Sequence, residues 1–310
     1  MILSKDNLKL IATENVVVPS PQIFDLPEKV LQFGTGVLLR GLPDYFIDKA
    51  NREGIFNGRI AVVKSTGANT TEFDHQDALY TLCVRGIENG NPVSENIISS
   101  AISRVIAAEK DWQLILEIAK SEDLQIVISN TTEVGIQYVE ENIQLNPPSS
   151  FPAKLLAVLY ERYQAFNGQP DKGLVMVATE LIPDNGKKLG EIVLKLAHYN
   201  QLEASFMAWL VQANHFCNSL VDRIVPGKPD AATSRASRAF VWPRTSAMSA
   251  IASTTTCALG TATVGHGVPS TRTSISSDSD DTGRKRAGRA NIDSAAAEVA
   301  TTTSYCDTAS

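Results

Sequence analysis

A short apolar run that breaks on two glycines and resumes at helical spacing constrains this chain more than any other feature. Lys29-Val30-Leu31-Gln32-Phe33 reads as a strand and Gly34-Thr35-Gly36 as a tight turn. Val37 to Ile47 then carries apolar residues three and four apart, the spacing of a helix. A second strand, Arg59-Ile60-Ala61-Val62-Val63-Lys64, begins about 30 residues after the first, which is the period of a βαβ unit.

The alternation continues. Leu79 to Arg85 is expected to be a strand, followed by a turn at Glu88-Asn89-Gly90-Asn91-Pro92. A helix over Trp112 to Ala119 leads into Leu124 to Ser129, nearly continuous in branched apolar residues like a strand covered on both faces. Pro152 to Phe166 is expected to be a helix, Gly173 to Ala178 a strand, and 188–199 and 203–213 two further helices. Strands alternating with helices define the fold class as α/β, with a largely parallel sheet.

Composition enters where this pattern stops. Residues 1–230 hold 20 Lys+Arg and 28 Asp+Glu, while residues 231–310 hold 8 and 6. Of those last 80 residues, 16 are Ala, 13 Ser and 14 Thr, against 9 of Leu, Ile, Val and Phe together. That is far below the roughly 20% at which a chain buries enough apolar surface to offset its ordering entropy. The division expected is one folded domain over 1–230 and a low-complexity, disordered tail over 231–310. The basic run Gly283 to Arg289, beside the acids at 278–281, reads as a solvated face of that tail rather than a nucleic-acid signal.

Several function classes fall away. No stretch approaches the ~18–20 uninterrupted apolar residues of a membrane span, and the first residues lack the order of a signal peptide. A cytoplasmic location is the expectation. Cys83, Cys217, Cys257 and Cys306 are scattered, with no CxxC pair, so neither a structural metal nor a disulfide scaffold is expected. A pI near 5.3 argues against a nucleic-acid partner.

Glycines at 34 and 36 let a backbone approach a pyrophosphate, and the amides opening the next helix offer an anion site. The third glycine of GxGxxG would be residue 39, which is Leu39, with a glycine at 41 instead. On pattern alone the turn is compatible with dinucleotide binding and with an ordinary strand–helix connection. The second strand ends Lys64-Ser65-Thr66-Gly67 with no carboxylate to accept ribose hydroxyls, leaving NAD against NADP open by that rule. Three polar clusters stand where strands are expected to end: Ser129 to Glu133, Thr179 to Gly186, and Asn214 to Pro226. Capping and turn formation explain the first two as readily as ligand binding does. Taken alone, His215 is more simply a surface or core residue than a catalyst.

In order, VLQFGTGVLLRGLPDYFID (30–48), VVKST (62–66), LYTLCVRGIENG (79–90), QIVISNTTEVGI (125–136), SFPAKLLAVLYERY (150–163), ATELIPDNGKKL (178–189) and NHFCNSLVDRIVPGKPD (214–230) resemble the mannitol dehydrogenase family of polyol and sugar-acid dehydrogenases. The resemblance covers about residues 15–230. It implies a Rossmann-like domain that binds NAD, with Val30, Leu31, Gln32, Phe33, Gly34, Thr35, Gly36, Val37, Leu38, Leu39, Arg40 and Gly41 around the pyrophosphate. Asn130 and Thr131 would lie beside the nicotinamide. The substrate implied is a small sugar acid, D-tagaturonate reduced to D-altronate, within the sugar-acid branch rather than its fructuronate or mannitol relatives. A non-catalytic dinucleotide-binding module is the alternative. The family works without a metal.

The same resemblance implies a catalytic Lys-x4-Asn-x2-His pattern beyond the VDRIVP segment, and no lysine here satisfies it. Lys285, the only lysine after 230, is followed at those offsets by Ala290 and Asp293. The catalytic residues are thus unassigned, with Asn185 and Asn130 the remaining candidates near the reaction centre. Family-like sequence ends near Asp230, as a frameshift would produce, and the chain is expected to be impaired in turnover. Loss of the partner domain would expose Leu194, Leu196, Phe206, Trp209, Leu210 and Phe216. Arg223 reads as a brace at the junction.

Overall fold

The computed structural model describes residues 3–88, 91–131, 135–221 and 223–227, with two further strands at 247–252 and 259–261. Expectations that fall on Asn89 and Gly90, on Thr132 and Glu133, and on the tail apart from those two strands, Lys285 included, lie outside the described residues.

Six strands form a parallel sheet: β1 (Glu28–Phe33), β2 (Arg59–Lys64), β5 (Ile102–Ala107), β6 (Ile126–Ser129), β7 (Val175–Ala178) and β8 (His215–Ser219). Their spatial order is β5-β2-β1-β6-β7-β8, and β11 (Leu259–Thr261) adds antiparallel beyond β8. From β1 the chain lays strands outward on one side, then returns to β1 and lays them outward on the other. This is the doubly wound Rossmann order, and its direction reverses between β1 and β6. A hairpin of β3 (Tyr80–Glu88) and β4 (Asn91–Ser99) starts a second sheet, ordered β4-β3-β10-β9 with β9 (Ile224–Gly227) and β10 (Ala247–Ala252).

Both faces of the parallel sheet are covered, which accounts for its near-continuous apolar strands. Leu31, Phe33, Ala61, Val63 and Val127 face the helices α4 (Ala108–Ala119), α5 (Phe151–Ala165), α6 (Asn185–Tyr199) and α7 (Ala204–Ala213). Val30, Ile60, Val62 and Ile128 face α2 (Pro43–Arg52) and the second sheet. α5 is the central helix: Phe151 through Leu159 are all buried, and its N-terminus is capped by Ser150, whose hydroxyl accepts from the Ala153 amide at 3.3 Å. Farther along α5, buried Arg162 donates to the carbonyls of Ala119, Ser121, Leu124 and Lys172 at 2.6–3.0 Å, tying α4, the start of β6 and the approach to β7 to one side chain.

Three expectations need correction. The helix after the glycine turn is not continuous: α1 (Val37–Gly41) stops, Leu42 leaves helical geometry at φ −123° and ψ −84°, and α2 starts at Pro43. Pro43 disfavours helical backbone in the residue before it and lacks an N–H of its own. Asn214 to Pro226 is not one strand-end loop, because His215–Ser219 pairs with β7 and Ile224–Gly227 with β10. Finally, Leu196, Phe206, Trp209 and Leu210 are buried in the core with α5, and Leu194 and Phe216 pack against it, so no open apolar face runs along them.

Candidate functional site

The reversal of strand order leaves a crevice beyond the C-terminal ends of β1 and β6, where ligands bind in open α/β sheets. Gly34 leaves β1 at φ +129°, a backbone region that side chains rarely adopt. Its amide donates to the Val63 carbonyl at 3.1 Å. A Cβ on it would stand 2.9 Å from Leu39 Cδ1 and 3.0 Å from the Asn130 carbonyl oxygen. The neighbouring Asn130 amide donates to the Phe33 carbonyl at 3.2 Å. The glycine turn and the residues after β6 therefore form one structure.

Gly36 is different. It caps α1 with ordinary extended backbone, it is exposed, and a Cβ there would meet nothing within 4 Å. Its lack of a side chain leaves open space above the turn, and the first amides of α1 have no partner within the helix. Backbone around Gly34 to Leu38 thus offers N–H donors with room for a phosphate to approach. Gly41 has the remaining glycine duty, close packing: its Cβ would lie 2.8 Å from Val225 Cγ1 of β9. Val30, Leu31, Gln32, Phe33 and Leu39 are wholly buried and shape the turn from beneath, while Thr35, Val37, Leu38 and Arg40 are at least partly exposed.

The polar clusters after β6, β7 and β8 are stitched together. Asn130 Nδ2 donates to the Thr179 carbonyl at 2.7 Å, and the Thr179 amide and hydroxyl both donate to the Ser129 carbonyl. Buried Glu180 accepts from Ser129 Oγ at 3.2 Å, from the Thr131 amide at 3.0 Å and from Thr131 Oγ1 at 3.2 Å. Asn185, fully buried, donates from Nδ2 to the carbonyls of Glu180 and Ser219 at 2.9 and 3.0 Å. Its Oδ1 accepts from the amides of Gly186 and Ser219 at 2.8 and 2.9 Å. Two donors and two lone pairs exhaust a primary amide, so Asn185 braces β7 against β8. Glu180 stands inside the Thr179 to Gly186 cluster, which the sequence leaves open between ligand binding and turn formation. Its carboxylate joins the ends of β6 and β7, which become neighbours only through the sheet order.

At the end of β2, Lys64 Nζ donates to the Asn69 carbonyl at 2.5 Å. No carboxylate ends that strand, and Glu109, in the first turn of α4, reaches the loop after it and accepts from the Gly67 amide at 2.7 Å. Sequence position gives no hint of this, because β5 and α4 reach the β2 loop only through the fold. Arg223 lies 4.7 Å from the Tyr45 ring centroid and 5.8 Å from that of Phe46, and burial lowers its pKa. That geometry braces the approach to β9 against α2, inside the folded domain. His215 is exposed on β8, away from the crevice end of that strand. Among the described residues no group of three His, Cys, Asp or Glu side chains could hold a metal ion, and no helix is long and apolar enough to cross a membrane.

Sheet order and crevice define the class, a doubly wound dinucleotide-type domain. The profile described as the mannitol dehydrogenase Rossmann domain matches residues 28–242, and the chain belongs to the mannitol dehydrogenase family. An altronate oxidoreductase of Bacillus subtilis (strain 168) is 49% identical over 205 residues, 66% of this chain and 43% of that protein. One from Halalkalibacterium halodurans is 42% identical over 207 residues, 66% of this chain and 40% of that protein. The chain thus spans less than half the length of these relatives. In fold it is similar to a Pseudomonas fluorescens mannitol 2-dehydrogenase solved as a ternary complex with NAD and D-mannitol, at TM-score 0.69 and 21% identity, over 81% of this chain and 53% of that one. A D-sorbitol dehydrogenase in substrate-free form matches at TM-score 0.66 and 21% identity over the same shares.

Proposed function

We propose that residues 1–230 are the NAD-binding domain of an oxidoreductase that interconverts D-altronate and D-tagaturonate, and that this chain binds the dinucleotide without turning the sugar acid over. The observation that carries the reading is the joined Gly34–Asn130 structure at the strand reversal, in a chain 49% identical to an altronate oxidoreductase over the residues that build it. The cradle fits a dinucleotide: Gly34 holds a conformation that brings the turn against Asn130, and Gly36 leaves the space a phosphate needs. Backbone from Gly34 to Arg40 would hold the pyrophosphate, with Asn130 and Thr131 at the nicotinamide end. When bound, the nicotinamide supplies hydride transfer to or from the carbon bearing the reacting oxygen.

The chain's own residues position rather than react. Glu180 holds Thr131 through both its amide and its hydroxyl, fixing the floor of the crevice. Asn185 acts as a positioning residue, since its whole hydrogen-bonding capacity locks Glu180 and Ser219. Glu109 brings negative charge to the loop after β2, which suits the unphosphorylated ribose of NAD. A general acid/base is a separate requirement, and the lysine pattern that would meet it is absent from the sequence. The reading places the protein in the cytoplasm, acting with a small sugar acid as its substrate class.

NADH fluorescence titration combined with a tagaturonate-dependent oxidation assay tests both halves. Saturable binding with no turnover is expected. Turnover would overturn the claim that the chain lacks its acid/base, and absence of binding would overturn the dinucleotide reading.

A further inference from the structure

Beneath the glycine turn lies a polar group that an apolar sheet core does not need. Gln32, in the central strand β1, is completely buried. Its Nε2 donates at long range in two directions, to the Gly34 carbonyl at 3.4 Å and to Asp44 Oδ2 of α2 at 3.5 Å. Asp44 is also completely buried. Among the described residues, three atoms of this group find no hydrogen-bond partner: Gln32 Oε1, Asp44 Oδ1 and Arg40 Nε. Buried polar atoms are seldom left unpaired, and each orphan calls for an explanation.

A proton on Asp44 Oδ1 supplies one. A carboxylic acid facing a primary amide makes two matched bonds, O–H to the amide oxygen and N–H to the acid carbonyl, which would satisfy Oδ1 and Oε1 together. With that proton gone, Nε2 still donates to Asp44 Oδ2, but Oε1 and Oδ1 oppose each other as two acceptors, so one of the two bonds that lock the amide is lost. We propose that Asp44 is a positioning residue for dinucleotide binding, its protonated carboxyl locking the Gln32 amide and, through it, the turn at Gly34 to Gly36. This rests on the reading of the crevice as a dinucleotide site.

The surroundings favour the proton. Burial pushes the Asp44 carboxyl from the ordinary 3.8 up to about 8, against the Gln32 hydrogen bond and the Arg40 charge, with Asp48 pushing the same way as burial. The groups facing it are Gln32 from β1, Arg40 from α1, Asp48 one turn along α2, and Tyr80 from β3, whose hydroxyl donates to the Arg40 carbonyl at 2.9 Å. Asp48 is itself committed, to Arg52 at 2.7 Å and to the amide and hydroxyl of Ser100. Arg223, just before β9, covers the rings of the next two residues, Tyr45 and Phe46. Asp44 is neutral below about 8 and charged above it. An anionic dinucleotide therefore binds more tightly on the low side, and affinity falls as pH rises through that value.

Two measurements on the full chain test this: NADH affinity by fluorescence, and hydrogen exchange of the segment spanning 33–41, corrected for intrinsic base catalysis. Wild-type affinity is expected to weaken about tenfold between about pH 7 and about pH 9.5, equivalent to one unit of pKa coupling. Over the same range, protection at 33–41 should fall. Asp44→Asn keeps the size and cannot ionise, so it should bind at neutral pH within about threefold of wild type and lose both pH responses. Gln32→Leu cuts the link while leaving Asp44 to titrate, and should also lose the exchange response. The proposal is overturned by Asp44→Asn retaining the wild-type pH profile, or by wild-type protection that does not change with pH. If NADH binds at no pH, the dinucleotide reading fails separately, and the exchange comparison alone decides the role of Asp44.

Discussion

The two glycines of the turn should separate stability from binding when each is replaced by alanine. In Gly34→Ala two costs add. Backbone at φ +129° costs an L-residue on the order of 1–3 kcal/mol. The new methyl then stands 2.9 Å from Leu39 Cδ1 and 3.0 Å from the Asn130 oxygen. Neither can yield freely, since Leu39 is fully buried and Asn130 is held by Phe33 and Thr179. Overpacking of this kind costs ~1–3 kcal/mol. The sum, roughly 2–6 kcal/mol, lowers Tm by about 5–20 °C for a domain of this size, while leaving most chains folded at room temperature given a typical stability of ~5–15 kcal/mol.

Gly36→Ala carries neither cost. Its backbone, φ −65° and ψ 157°, suits any residue, and the methyl meets nothing within 4 Å. Stability should hold or rise by up to ~1 kcal/mol, because alanine narrows the unfolded ensemble. The methyl occupies the space above the turn, so NADH affinity should fall at least about tenfold, or ~1.4 kcal/mol. Differential scanning calorimetry and fluorescence titration of both variants make the comparison. A Gly36→Ala chain that binds NADH like wild type would refute the placement of the phosphate over this turn. A Gly34→Ala chain melting within about 1 °C of wild type would refute the strain argument.

Three further substitutions probe the scaffold. Arg162→Met strands up to four buried carbonyls that the guanidinium now serves, and should destabilise by ~3–5 kcal/mol, read as a lower urea midpoint at unchanged slope. Burial would raise the Glu141 pKa, yet hydrogen bonds from the amides and hydroxyls of Ser149 and Ser150 outweigh it and hold the carboxylate below the ordinary 4.5. Its stabilisation is present above 4.5 and lost as pH falls through the lower folded value, so Glu141→Gln should cost ~1–2 kcal/mol at neutral pH. That difference should vanish in acid, and a constant difference in melts down to about pH 3 would contradict the assignment. Glu180→Ala removes the carboxylate bonds to Ser129 and Thr131 at the crevice floor and should weaken NADH binding about tenfold. Unchanged affinity would refute a part for that carboxylate in shaping the site.

What the sequence made legible follows from burial. β1, β2, β6 and β7 lie inside the parallel sheet, so their central residues are predominantly apolar and stand out without alignment. β4 and β5 were not anticipated, because half of β4 is exposed and β5 interposes Ser103 and Arg104, leaving no strong period. β8 reads as a loop on its composition, His215-Phe216-Cys217-Asn218-Ser219. Its pairing with β7 is through backbone, and the Asn218 side chain and the Ser219 amide are committed to the start of α6. The break at Leu42 was written in the chain, at Pro43, and was overridden by an apolar spacing that continues across it.

The site was legible as a set of positions and not as a set of roles. Asn, Thr, Ser and Glu after strand ends mark the crevice, yet the same residue types cap helices and brace turns. Geometry separates the two uses by asking what capacity is left. Asn185, singled out as a candidate near the reaction centre, has none, since both its donors and both its acceptor sites are spent between β7 and β8. Gly36, which has no side chain at all, leaves unpaired amides beside open space. Gln32 and Asp44 sit between these extremes, hidden from solvent with two acceptors unmet, and a proton is the smallest addition that satisfies both. On the proposed reading the crevice receives its ligand where the scaffold leaves room, so the polar residues most conspicuous in sequence are the ones already occupied in holding that scaffold still.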